Sequence, residues 1–113
     1  RADFYFINLR DMKNLIEASL YTITTDTAAS HLAQFFSRKH ILLCSRSRPQ
    51  NVCFPNAQRT MILDLGENLK CRPCYYWNLN KSSCSAGYER CYGLLDVKNK
   101  KTEIANAVLW ANG

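Results

Sequence analysis

Residues 88–110, YERCYGLLDVKNKKTEIANAVLW, decide the fold. Two apolar runs, Tyr88 to Val97 and Thr102 to Trp110, flank the polar stretch Lys98-Asn99-Lys100-Lys101. Read as strands, they form a β-hairpin and commit the chain to an antiparallel sheet. The second run also fits a helix, since Ile104, Ala107 and Val108 recur at helical spacing. Its β-branched residues and the hairpin-like turn favour the strand.

Further strands are expected upstream. Tyr75 to Leu79 leads into the turn Asn80-Lys81-Ser82-Ser83, Thr60 to Leu65 stops at Gly66, and Ile41 to Ser45 is a short buried strand carrying Cys44. Asp3 to Leu9 (DFYFINL) is apolar on both faces and reads as a strand covered on both sides. Arg46 to Asn56, with Pro49 and Pro55, reads as a loop.

Two helices separate the first strands. Asn8 or Asp11 caps the first, in which Met12, Leu15, Ile16, Ser19, Leu20 and Ile23 share one face. The β-branched run after Tyr21 weakens its far end, and a strand over Ser19 to Thr25 competes there. Thr25-Asp26 or Thr27 caps the second helix, with Ala28, Leu32, Phe35 and Phe36 as its stripe and Arg38-Lys39-His40 in its last turn. Met12, Leu15, Ile16, Leu20, Phe35 and Phe36 are expected to face the sheet. The predicted class is therefore α+β: one or two N-terminal helices packed on an antiparallel sheet of about five strands, in a single compact domain over residues 1–113.

All six cysteines, Cys44, Cys53, Cys71, Cys74, Cys84 and Cys91, lie within one span of the chain. An even count in a short chain reads as a disulfide framework that staples the loops, and hence as a secreted, extracellular protein. Asn80-Lys81-Ser82 is a glycosylation acceptor in a polar loop and agrees with that compartment. If the protein is secreted, this is a mature chain or a cut domain, since Arg1-Ala2-Asp3-Phe4 opens no signal-peptide run. Cys71, Cys74, Cys84 and Cys91 could instead hold a structural zinc ion, but Cys84 and Cys91 lack the spacing of a second knuckle. Cys71-Arg72-Pro73-Cys74 is a poor redox motif, because a strand and not a helix is expected to follow it.

The net charge of +6 favours an acidic partner. Its basic residues fall into two groups: Arg38, Lys39, Arg46 and Arg48 around the second helix end and the following loop, and Lys98, Lys100 and Lys101 at the expected hairpin tip. Tyr75, Tyr76 and Trp77 lie near Lys70 and Arg72, and cations beside aromatics suit glycan, nucleic-acid and receptor surfaces. No stretch approaches the length of a membrane span. His31 and His40, if both on the second helix, stand about 13 Å apart along its axis. That is too far to serve as base and acid on one phosphate, as a metal-free ribonuclease requires. No nucleophile elbow, zinc-protease motif or phosphate loop is present, and no cofactor is implied.

The sequence therefore describes a secreted, basic, disulfide-stabilised binding protein of the effector, toxin or virulence kind. It would dock a protein receptor, an anionic glycan or another anionic target without catalysis. An intracellular zinc-binding nucleic-acid module and a small secreted ribonuclease are the alternatives.

Overall fold

The computed structural model describes residues 7–45, 47–55, 57–69, 72 and 97–113. Its order is α1 (Leu9–Ala18), β1 (Thr22–Thr25), α2 (Ala28–Phe36), β2 (His40–Cys44), α3 (Pro49–Val52), β3 (Thr60–Asp64), a 3-10 turn (Lys98–Lys100) and α4 (Lys101–Asn112). The three strands form one open, wholly parallel sheet in the order β1-β2-β3. Thr22, His40 and Thr60 share the first register row. The expected antiparallel sheet of about five strands is overturned, and with it the α+β class. Parallel neighbours need long crossovers, which residues 26–39 and 45–59 provide.

Parallel sheets are covered on both faces, and this one is layered accordingly. Ile41 and Leu63 meet Ala107 and Ala111 of α4, with Leu43, Met61, Ile104 and Val108 around them. Leu42 and Cys44 meet Val52 of α3 on the other face, beside Ile62. Helix α2 covers β1 and β2, and α1 lies against α2. The near-continuous apolar run His40–Cys44 is the mark of such a doubly covered central strand.

The stretch Thr102 to Trp110 is helix, not strand. Ile104, Ala107, Val108 and Ala111 fall on one stripe, and the two alanines are fully buried, so the helix backbone can lie close to the sheet. Burial of that stripe outweighs the weak β preference of Thr102, Ile104 and Val108. Lys98–Lys100 is accordingly the lead-in to α4 and not a hairpin tip.

Asn8 caps α1, its Oδ1 accepting from the Asp11 N–H at 2.9 Å. Thr27 begins α2, with the Ser30 hydroxyl accepting from the Thr27 N–H at 3.3 Å. The strand alternative over Ser19 to Thr25 is realised as β1. Arg38 and Lys39 form the turn after α2, and His40 opens β2, so no basic residue lies in the last turn of α2. The loop after β2 contains the short helix α3 behind Pro49. Leu9 belongs to α1; the rest of the expected first strand, up to Phe6, lies outside the described residues. So does the expected strand at Tyr75 to Leu79, and that at Tyr88 to Val97 up to Asp96; Val97 itself is in a turn, not a strand.

Of the residues expected against the sheet, only Ile16 is buried, while Leu15 is 50% exposed and Phe35 61%. Helix α1 packs on α2 rather than on the sheet, so it has less surface to cover than its apolar face offers. The expectation of disulfide-stapled loops also fails where it can be followed. Cys44 and Cys53 are free thiols, and the other four cysteines lie outside the described residues. Hydrogen bonds hold the α3 segment instead. The buried Gln34 amide donates to the Val52 carbonyl at 2.9 Å and accepts from the Phe54 N–H at 2.7 Å.

Candidate functional site

His40 is fully buried, with Nε2 2.7 Å from the Thr24 hydroxyl and Nδ1 3.1 Å from the Thr60 hydroxyl. Burial pushes its pKa down to about 4, so it stays neutral and bridges the three strands. His31 is exposed on α2, edge-on to Phe54 at 5.7 Å. The two do not share one helix, and His40 has no free nitrogen for proton transfer.

Ligands of open parallel sheets commonly bind beyond the carboxyl ends of the strands. At that edge the Arg72 guanidinium grips both oxygens of Asp64, at 2.5 and 2.7 Å. The fork holds the Asp64 carboxyl below the usual carboxylate range. The Gly66 N–H donates to Asp64 Oδ1 at 3.1 Å, and a Cβ on Gly66 would stand 2.0 Å from the Ser45 carbonyl oxygen. Only glycine lets the chain after β3 pass so close to β2. Ser47 donates to Asp26 at 3.0 Å, and Arg48 to the Arg72 carbonyl at 3.2 Å. Lys100 lies 3.0 Å from Glu67 and 3.5 Å from Glu103.

The acids and thiols of this edge are engaged, while Arg48, Lys98 and Lys101 are exposed and form no ion pair among the described residues. The Cys44 thiol donates to the Ser47 carbonyl, and burial, reinforced by Asp64, pushes its pKa up to about 11, so it is no thiolate at neutral pH. Burial raises Cys53 as well. Asp64 is committed to Arg72, and Glu67 and Glu103 to Lys100. Among the described residues no three His, Cys, Asp or Glu side chains gather as a metal site.

The opposite, amino edge differs. The Thr22 N–H donates to the Lys39 carbonyl at 3.0 Å, and the His40 N–H to the Arg59 carbonyl at 2.9 Å. The residues just before the strands, Tyr21, Lys39 and Arg59, therefore stand in one row, with Arg38 beside them. Lys39 Nζ donates to the Trp110 carbonyl at 2.6 Å and lies 5.1 Å from the Trp110 ring centre. The Ser37 hydroxyl donates to the Lys39 carbonyl at 2.6 Å and fixes the turn. Arg38 and Arg59 are exposed, and among the described residues none of Arg38, Lys39 and Arg59 forms an ion pair. Glu17, at the end of α1, is engaged by Lys13 at 2.9 Å.

The two basic groups seen in the sequence are thus redistributed. Arg38 and Lys39 stand at the amino edge; Arg48, Lys98, Lys100 and Lys101 stand at the carboxyl edge or the start of α4. Arg46 and Asn80 lie outside the described residues, as do Cys71, Cys74, Cys84, Cys91 and the Tyr75-Tyr76-Trp77 run. Arg59 was not a candidate. Its place immediately before β3 matches that of Lys39 before β2, but only a parallel pairing makes those places neighbours.

Comparison with protein-family profiles, with curated proteins and with solved structures finds no match. Among the described residues no helix is long and apolar enough to cross a membrane.

Proposed function

We propose that this protein is a binding module that docks an anionic target, without catalysis, through the amino edge of its parallel sheet. One observation carries the reading. Arg38, Lys39 and Arg59 converge there from two crossovers into one row fixed by the Thr22–Lys39 and His40–Arg59 backbone bonds, with no ion-pair partner among the described residues, whereas the likewise unpaired Arg48, Lys98 and Lys101 stand beside Asp64, Glu67 and Glu103. The turn bearing Arg38 and Lys39 is held by Ser37 and by the end of α4, so little order is lost on binding. The test compares two variants for binding to a heparin oligosaccharide at low salt. Arg38→Ala/Arg59→Ala is expected to lose at least tenfold in affinity, and Arg48→Ala/Lys98→Ala/Lys101→Ala to lose less. The reverse ranking, or no heparin binding by the parent protein, overturns the reading.

A further inference from the structure

Lys39 belongs to two assemblies. Its backbone lies in the docking row, where its carbonyl accepts from the Thr22 N–H at 3.0 Å and from the Ser37 hydroxyl at 2.6 Å. Its side chain leaves the row for α4. The ammonium donates to the Trp110 carbonyl at 2.6 Å and lies 5.1 Å from the Trp110 ring centre. That carbonyl is in the last turn of α4, where the helix dipole favours a cation. Trp110 in turn packs against the cluster of Ile41, Leu63, Ala107 and Ala111. Among the described residues this is the one polar tie between the last turn of α4 and the sheet. An ammonium carries three donors, so the half-buried Lys39 keeps donors for an anion after serving the helix.

Resting on the docking reading above, we infer that docking at the amino edge and the seating of α4 on the sheet are coupled through Lys39. A bound anion holds the end of α4 in place, and a lifted α4 weakens the docking surface. Helix ends open locally at lower cost than the whole fold. When the last turn of α4 lifts, the ammonium loses both its acceptor and the ring beside it. The side chain then regains its rotamer freedom, and an anion must order it again on binding. With α4 seated, that order is already present. The anion does not displace the Trp110 carbonyl, because it takes the donors that the helix leaves free. The ammonium then stands between the negative helix end and the anion, with opposite charges alternating. A ligand that prefers the seated state shifts the equilibrium towards it by that preference, and the effect is reciprocal.

Amide hydrogen exchange on the intact protein, with and without a saturating heparin oligosaccharide, tests this. Heparin is expected to slow exchange in the last turn of α4 at least about fivefold, the low end of such couplings. It should slow the amides of α1 less, since that helix packs on α2. Lys39→Met keeps the side-chain length and removes the ammonium. In that variant heparin binds more weakly, through Arg38 and Arg59, and the added protection of α4 disappears. Three results overturn the coupling and leave the docking reading standing: heparin that slows α1 and α4 alike, heparin that speeds exchange in α4, and α4 protection that survives Lys39→Met. The first two are read on the parent protein and do not depend on the variant folding. No heparin binding by the parent protein removes both readings.

Discussion

His40 shows how one residue ties stability to pH. Its folded pKa of about 4 lies below the ordinary histidine value of 6.5, so between those values the unfolded chain binds more protons than the folded one. Stability from this residue is therefore complete above about pH 6.5 and is lost as the pH falls towards 4. The loss is about 3 kcal/mol at most. Denaturant unfolding at pH 7, 5.5 and 4.5 should show that decline, and His40→Gln should flatten it across this window whatever its own cost at pH 7. An unchanged slope in the variant would assign the decline to other groups. The thiols make a second residue-scale prediction. Cys44 is buried and its pKa stands near 11, and Cys53, only partly buried, is also raised. Iodoacetamide at pH 8, with no reductant ever added, should label Cys53 slowly and Cys44 only after unfolding. A disulfide found at either position would refute the free-thiol assignment.

At the scale of elements, α1 and α4 respond to their neighbours more than to their own patterns. The periodic apolar face of α1 was legible in the sequence, as were its Asn8 cap, the start of α2 at Thr27 and the strands at 41–44 and 60–64. What α1 packs against was not legible, because periodicity reports a face and not its cover. Leu15→Ala should accordingly cost under about 0.5 kcal/mol, as surface changes do, whereas Ile16→Ala should cost about 2–5 kcal/mol. Equal costs in chemical denaturation would show that α1 presents its whole stripe to the core. In α4, Thr102, Ile104 and Val108 pull a short window towards strand, while the stripe that settles the matter runs on to Ala111, beyond the Trp110 limit of the reading. Small buried alanines contribute little to a hydrophobicity pattern yet decide how closely a helix can lie on a sheet. Ala107→Leu, forced between Ile41 and Leu63, should therefore destabilise by about 1–3 kcal/mol through overpacking.

For the whole molecule, strand direction determines which charges meet. In an antiparallel sheet the starts of adjacent strands lie at opposite edges, so Lys39 and Arg59 would be separated; in this parallel sheet they are side by side, with Arg48 at the far end of β2. The candidate surface was therefore half legible: Arg38 and Lys39 from their run, Arg59 only from topology. A salt titration separates this local surface from the overall charge of +6. Each cation that replaces a condensed counterion contributes about −0.7 to the slope of log affinity against log salt, on the single-strand value. Arg38, Lys39 and Arg59 together then give a slope near −2 for heparin, by about three such replacements. Arg38→Ala/Arg59→Ala should bring it to about −0.7, because Lys39 alone remains. Arg48→Ala/Lys98→Ala should leave it near −2, since those residues serve the other edge. If binding instead followed net charge, the two double variants would flatten the slope equally, since each removes the same charge, and no particular edge of the sheet would be the docking surface.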